Sequence, residues 1–222
     1  MTPYEVLSNN TSAERQYLLS APIHGAVLKG QISLEGYRVF LTNAFHHVRF
    51  TVPLIMAAAS RIDPNNKIVC DALQEYIREE YGHEQWILDD LNASHGDAAS
   101  TRSSTPGFEV ELMVAYVRDY IEHTDPIGFL GMVFVLEGTS VAMAYATADL
   151  IQQALKLPDT AFSYLRSHGS LDIEHLSFFE ELTNTLSESQ LNHVIHVARR
   201  VFHLYGNVLR SVPSLESDYA AA

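Results

Sequence analysis

Histidine and aspartate recur at helical spacing in the segment SHGSLDIEHLSFF, residues 167–179. His168, Asp172 and His175 are separated by four and three residues, and such steps return side chains to one face of an α-helix. Two imidazoles and one carboxylate on one face form either the polar stripe of a surface helix or part of a metal site. The chemistry to test is therefore metal binding.

A second cluster of the same residue types occurs in EEYGHEQW, residues 79–86. Glu80 and His83 are three residues apart, and Glu-x-x-His on a helix is the unit that di-iron and di-manganese bundles use. Glu79, four residues before His83, is the competing ligand. On its own, such a pair is more often part of a solvated helix face than a metal site.

Glu137 stands in the apolar segment MVFVLEGTSVAMA, so we expect its carboxylate to be buried. A buried carboxylate is costly unless a cation or hydrogen-bond donors compensate it. With the two clusters it completes a set of carboxylates and imidazoles from three helices, the donor types that a pair of Fe(II) ions requires. The predicted ligands are Glu80, His83, Glu137, His168, Asp172 and His175.

Apolar residues at helical spacing indicate the elements that must position these side chains. We find no sustained strand alternation and no internal repeat, so the prediction is an all-α protein of about seven helices in one domain. We expect an N-terminal arm over 1–10, a polar loop over 95–107 and a flexible tail over 213–222. The predicted helical segments are 12–30, 33–62, 66–94, 108–123, 125–155, 160–185 and 187–212.

Composition and charge narrow the classes of function. The 27 acidic residues exceed the 14 basic ones, and a net charge of −13 disfavours nucleic acid and anionic membrane as partners. Cys70 is the single cysteine, which excludes an intramolecular disulfide and an all-cysteine metal site. No signal peptide and no apolar run of roughly 18 residues is evident. We therefore expect a cytoplasmic protein that binds neither nucleic acid nor membrane.

The order of motifs resembles the haem-oxygenase-like di-iron oxidases. Glu-x-x-His, a single glutamate and His-x-x-x-Asp-x-x-His follow one another, and HGAVLKGQISLEGYRVFLTNAFHHV (24–48) is similar to the early part of that superfamily. The resemblance implies a seven-helix bundle shared with thiaminase II (TenA) and pyrroloquinoline-quinone synthase. It also implies two Fe(II) ions, or manganese, on the six residues above, dioxygen as co-substrate, a small organic substrate and a homodimer.

Aromatic and basic residues on two helices are candidates for the wall of a substrate pocket. In the family that this sequence resembles, the second helix faces the cavity, which draws attention to NAFHHVRF at 43–50. Aromatic residues elsewhere could complete an apolar wall. The candidates are Tyr37, Phe45, His46, Arg49, Phe202 and Tyr205.

The residues leave further interpretations open. A metal-independent enzyme related to TenA or pyrroloquinoline-quinone synthase, or a ligand-binding protein without catalysis, would use the same scaffold. Thiaminase II uses a nucleophilic cysteine on a central helix, where VLEGTSVAM has none. A ferritin-like bundle would need a further carboxylate on another helix. The metal-independent quinone synthase would leave the six-residue set unexplained, whereas Asp172-x-x-His175 could be the second paired motif of a ferritin-like bundle.

Overall fold

The computed structural model describes residues 1–213, except for the side chains of residues 170–174. These residues form α-helices and two short 3-10 helices, Pro126–Gly128 and Asp159–Ala161, without a β-strand among them, which confirms the predicted all-α class. The helices are α1 Pro3–Asn10, α2 Ser12–Leu19, α3 Pro22–Leu28, α4 Leu34–Val48, α5 Thr51–Ala59, α6 Lys67–Glu80, α7 Glu84–Ala93, α8 Ala98–Ser103, α9 Phe108–His123, α10 Phe129–Leu155, α11 Ser163–Thr183 and α12 Glu188–Arg210.

The helices are shorter and more numerous than the seven predicted, because proline and glycine divide several segments. The segment 33–62 splits before Pro53, which lies in the first turn of α5, where a missing N–H costs no helical hydrogen bond. The expected N-terminal arm is the helix α1, whose Thr2 and Glu5 form a capping box. The expected polar loop contains α8. Of the predicted tail, only Pro213 is among the described residues.

Helix α10 forms the centre of the bundle and packs mainly against α11 and α12. A Cβ atom at Gly131 would lie 2.6 Å from the Val194 carbonyl oxygen and 2.7 Å from the Ala198 nitrogen. Glycine therefore allows the backbones of α10 and α12 to approach closely. Among the described helices, Pro126–Leu155 is long and apolar enough to cross a membrane by length and composition, but 61% of its most apolar window is buried inside the structure. Such burial is typical of a core helix.

Polar contacts attach the first turn of α11 to the end of α10. The Arg166 guanidinium lies 3.1 Å from a carboxylate oxygen of Asp149 and 3.1 Å from one of Asp159. It also donates a hydrogen bond of 2.7 Å to the side-chain oxygen of Gln152. These contacts hold the helix that carries His168 and His175 against the central helix.

Candidate metal centre

Glu80 and His83 lie on either side of a helix break. Glu80 is the last residue of α6, His83 directly precedes α7, and Gly82 between them has a φ of +91°, a conformation that glycine adopts without strain. The predicted continuous helix over 66–94 is therefore wrong at this point. The two buried side chains nevertheless meet across the turn, with His83 Nδ1 3.3 Å from Glu80 Oε2.

His168 joins this pair from α11, and we call Glu80, His83 and His168 the first donor group. Their possible ligand atoms all lie within 4.8 Å of one another. Nδ1 of His168 lies 3.1 Å from the backbone carbonyl oxygen of Tyr164. Because a carbonyl only accepts hydrogen bonds, Nδ1 carries the proton and Nε2 of the neutral ring holds the lone pair that a metal ion requires.

Glu80, Glu137 and His175 form a second donor group, whose ligand atoms also lie within 4.8 Å of one another. His175 places Nδ1 3.8 Å from Glu137 Oε1 and Nε2 3.1 Å from Glu79 Oε2. The two glutamates at the end of α6 thus have different positions. Glu80 belongs to both donor groups, whereas Glu79 is partly exposed and contacts the far side of the His175 ring.

The structure thus brings together five of the six predicted ligands. Glu80, His83, Glu137 and His175 are each less than a tenth exposed, and His168 is half-buried beside them. The sixth, Asp172, belongs to the residues whose side chains lie outside the described part of the chain. Three helices and one helix break therefore supply a buried cluster of carboxylates and imidazoles.

An apolar cavity adjoins the first donor group. It has an empty volume of about 790 Å³, including its opening to solvent, and both Tyr164 and His168 line it. A smaller cavity is lined by Glu80 and Glu137. His47, which is buried on α4, lines both cavities, as do Leu136 and Tyr164. A molecule in the larger cavity would therefore lie beside the cluster.

The sequence matches the family model described as iron-containing redox enzymes over residues 38–206, which is most of the chain. The chain belongs to this family. No curated protein sequence matches it. Solved structures of low sequence identity share the fold of this chain, and at that identity the similarity concerns the fold alone.

Among solved structures, a domain of unknown function with a heme oxygenase-like fold from Shewanella denitrificans is similar, with a TM-score of 0.86 and 18% identity over 99% of this chain and 94% of that one. A TenA homolog from Pseudomonas syringae pv. tomato has a TM-score of 0.77 and 12% identity, covering 92% and 90% of the two chains. Heme oxygenase from Leptospira interrogans has a TM-score of 0.74 and 15% identity, covering 95% and 99%. The predicted haem-oxygenase-like fold is confirmed.

The donors of the cluster fit the metal of the iron-containing redox enzyme family. Burial by itself would raise the pKa of Glu80, but the adjacent side chains of His83, His168 and His175 outweigh it and lower that pKa. The carboxylate is therefore ionised at neutral pH while it remains buried. Anionic oxygen combined with neutral imidazole suits Fe(II) and Mn(II).

Asp90 is a buried residue that the sequence analysis did not single out. Its carboxylate oxygens accept hydrogen bonds of 2.8 Å and 2.9 Å from the backbone N–H groups of Ser163 and Tyr164, the first two residues of α11. Burial raises the pKa of Asp90 to about 6. Helix α7 thus caps the helix that carries His168. The available signal was the spacing along α7. Asp90 follows Ile87 by three residues and directly precedes Leu91, and both of these apolar residues are buried.

The side chain of Trp86 also connects the two helices of the first donor group. Its ring stacks on His83 at 4.1 Å between centroids and lies 5.6 Å from the ring of His168, to which it is nearly perpendicular. The sequence interpretation of Trp86 as a core residue describes its packing, because the ring lies partly buried against the hydrophobic core. Its contacts also restrict the orientation of both imidazoles.

The predicted pocket residues have different locations. Tyr37 and Tyr205 line the larger cavity. Phe45 is buried in the core, and His46 bonds to Ser104. The other two candidates are also absent from the described lining of that cavity: Arg49 lies over the rings of Phe45 and Phe50, and Phe202 borders a separate depression.

Proposed function

We propose that the protein is a non-haem di-iron oxidase or oxygenase that uses dioxygen to oxidise a small organic substrate. The observation that carries the proposal is the pair of donor groups that share the buried carboxylate of Glu80 beside an apolar cavity. A carboxylate common to two groups of imidazole and oxygen donors suits two neighbouring cations. The same donors also accept manganese, so the identity of the metal as iron is itself part of the proposal.

In this proposal Glu80 would contact both ions. His83 and His168 would hold one of them, and Glu137 and His175 would hold the other. Asp172 stays the predicted sixth ligand. Fe(II) ions held at these positions would supply the redox chemistry that activates dioxygen towards a bound organic substrate.

Residues around the cluster would orient the ligands. The Tyr164 carbonyl holds the proton of His168 at Nδ1 and so directs the lone pair of Nε2 away from it. Glu79 contacts Nε2 of His175 and leaves Nδ1 on the side of Glu137. A histidine ring held by a second acceptor is a common arrangement in metal sites, because it sets the tautomer and the ring orientation. The apolar cavity wall would exclude bulk water from the reaction.

Anaerobic loading with Fe(II) tests the proposal. We expect about two iron ions per chain, oxygen consumption on mixing with air-saturated buffer, and a transient visible absorption. His168→Ala should abolish the absorption while the far-UV circular dichroism stays that of a folded helical protein. His123→Ala is the matched control, because His123 is exposed on α9 and outside both donor groups.

Three results would contradict the proposal. Less than about one iron per chain together with no transient absorption would contradict the presence of a di-iron centre. An unchanged signal in His168→Ala would remove that residue from the ligand set. Catalytic activity that survives complete removal of metal would support the metal-independent alternative on the same scaffold.

A further inference from the structure

The larger cavity has a mainly apolar wall. Residues of α3, α10 and α12 contribute aliphatic side chains, including Val27, Met143 and Leu209. None of the described side chains that line it belongs to Lys, Arg, Asp or Glu. A charged group placed there would lose its hydration without gaining an opposite charge from those residues, which is unfavourable.

His24 brings a hydrogen-bond acceptor to this wall. Its ring donates a hydrogen bond to the backbone of Leu18. Since Nε2 has no partner among the described residues, the donor is Nδ1, which therefore carries the proton. Nε2 is buried and has no hydrogen-bond partner among the described residues. Burial lowers the pKa of His24, with the charge of Arg210 adding to the effect, so the ring is neutral at physiological pH. Nε2 is therefore an acceptor that is available to a ligand.

Ser140 brings a hydroxyl group to the same wall. Its Oγ is buried and lacks a hydrogen-bond partner among the described residues. The adjacent Thr139 also lines the cavity, but its hydroxyl donates a hydrogen bond of 2.6 Å to the carbonyl oxygen of Val135. A buried polar group without a partner is rare in proteins and usually indicates a missing water molecule or ligand. Ser140 can thus donate to a ligand, whereas Thr139 is already satisfied.

We propose that the cavity binds an uncharged, largely aliphatic molecule with one hydroxyl group, which donates to Nε2 of His24 and accepts from Oγ–H of Ser140. The aliphatic part would lie along the wall towards His168. That this molecule is the substrate of an oxidation rests on the proposed function, whereas its binding does not. The absence of described charged residues from the wall disfavours carboxylates and amines as ligands of the cavity.

Calorimetric titration of the metal-free protein with matched eight-carbon probes tests this inference. Octan-1-ol should bind in a saturable manner, whereas octanoate and octylamine, both charged at pH 8, should bind at least about tenfold more weakly. Metal-free protein removes the contribution that an ion would make to binding octanoate. Saturable binding of octanoate at the affinity of octan-1-ol or better would overturn the inference, as would no binding of octan-1-ol.

Variants at the polar groups identify the contacts. Ser140→Ala and His24→Phe should each weaken octan-1-ol binding about fivefold or more, the loss expected for one hydrogen bond. Thr139→Val is the matched control and should leave the affinity unchanged, because the hydroxyl that it removes already bonds within α10. His24→Gln restores an acceptor and should recover part of the affinity lost in His24→Phe.

Equal affinities in Ser140→Ala, Thr139→Val and the wild-type protein would remove Ser140 from the site and overturn the proposed hydroxyl contact. Failure of the proposed function has a different signature. Metal-free protein would still bind octan-1-ol, and the affinity would still depend on His24 and Ser140. After anaerobic incubation with Fe(II), however, the protein would retain less than about one ion per chain and consume no oxygen.

Discussion

The two donor groups share Glu80 but differ in how their other members are held. In the first, His83 stacks on Trp86, and the helix of His168 is capped by Asp90 from α7. In the second, the His175 ring contacts the partly exposed carboxylate of Glu79. Contacts between two helices thus position the first group, whereas the second combines the edge-on packing of His175 against the buried Tyr76 with a contact to the partly exposed Glu79.

This difference suggests an order of metal binding. Ligands that are held in place before the metal arrives lose less conformational freedom when they bind it, so affinity rises with preorganisation. We therefore expect the first donor group to bind its ion more tightly than the second. Two unequal steps in an anaerobic Fe(II) titration would be the direct observation.

Glu80→Gln should have the largest effect, because it removes the charge that the two groups share. We expect the iron content to fall from about two ions per chain to a trace. Glu84→Gln is the control: Glu84 lies in the first turn of α7 and outside both donor groups, so iron binding should persist. Retention of both ions by Glu80→Gln would show that the groups do not share a ligand.

Asp90→Asn tests the helix cap that supports the first donor group. An amide has one acceptor oxygen in place of two, so one of the N–H groups at Ser163 and Tyr164 loses its partner. We expect the free energy of unfolding to fall by about 1–2 kcal/mol and the affinity of the first ion to fall about tenfold. Chemical denaturation and Fe(II) titration measure these effects.

Asp89→Asn is the control for the helix cap, because Asp89 is exposed and, among the described residues, accepts a hydrogen bond from Gln85 and none from α11. Asp89→Asn should leave the free energy of unfolding and the affinity of the first ion almost unchanged. A loss of stability in Asp90→Asn with unaltered iron affinity would limit Asp90 to a structural role.

Glu79→Gln tests the second group. The amide keeps an oxygen near Nε2 of His175 but loses the negative charge that orients the ring. We expect about tenfold weaker binding of the second ion and no change for the first. If the first ion is the one affected, the assignment of Glu79 and His175 to the second donor group is incorrect.

His47→Leu is expected to have the smallest effect on iron binding, because His47 is in neither donor group, and it concerns the residue where the two cavities meet. Burial lowers the pKa of His47 to about 3, and the neighbouring His168 and His46 add to the effect. The unfolded chain binds a proton near pH 6.5, so the free energy of unfolding that this residue contributes is present above that pH and is lost as the pH falls. Between the two pKa values, His47 makes the free energy of unfolding rise by about 1.4 kcal/mol per pH unit.

The His47→Leu variant should lose this contribution to the pH dependence of the free energy of unfolding. Urea denaturation at several values between about pH 5 and pH 7 would measure it, because His47 is neutral when folded and protonated when unfolded over much of that range. A slope identical to that of the wild-type protein would mean that His47 binds its proton equally in the folded and the unfolded chain.

The sequence predicted the all-α class and the residue types of the centre, but not every local detail. The helix of residues 108–123 agrees with α9, and His168 and His175 do lie on one helix. The continuous helix over 66–94 was wrong, because apolar periodicity does not reveal that Gly82 adopts a left-handed conformation. The placement of Arg49 could not be read from spacing either, since its partners are aromatic rings.

The sequence by itself determined what depends on neighbours along the chain: helical periodicity, the burial of Glu137 on an apolar helix, and the shared face of His168 and His175. These properties follow from the 3.6-residue repeat of the α-helix. Only the tertiary structure decided that Glu80 belongs to both donor groups, that Asp90 caps α11, and that the cavity adjoins His168.

The physical reason is that distances between helices depend on how side chains from remote segments fill the space between them. At Gly131 the central helix approaches α12 to a distance that no local pattern specifies. The spacing of residues in the sequence can therefore identify the donors on each helix, whereas packing decides which of them meet.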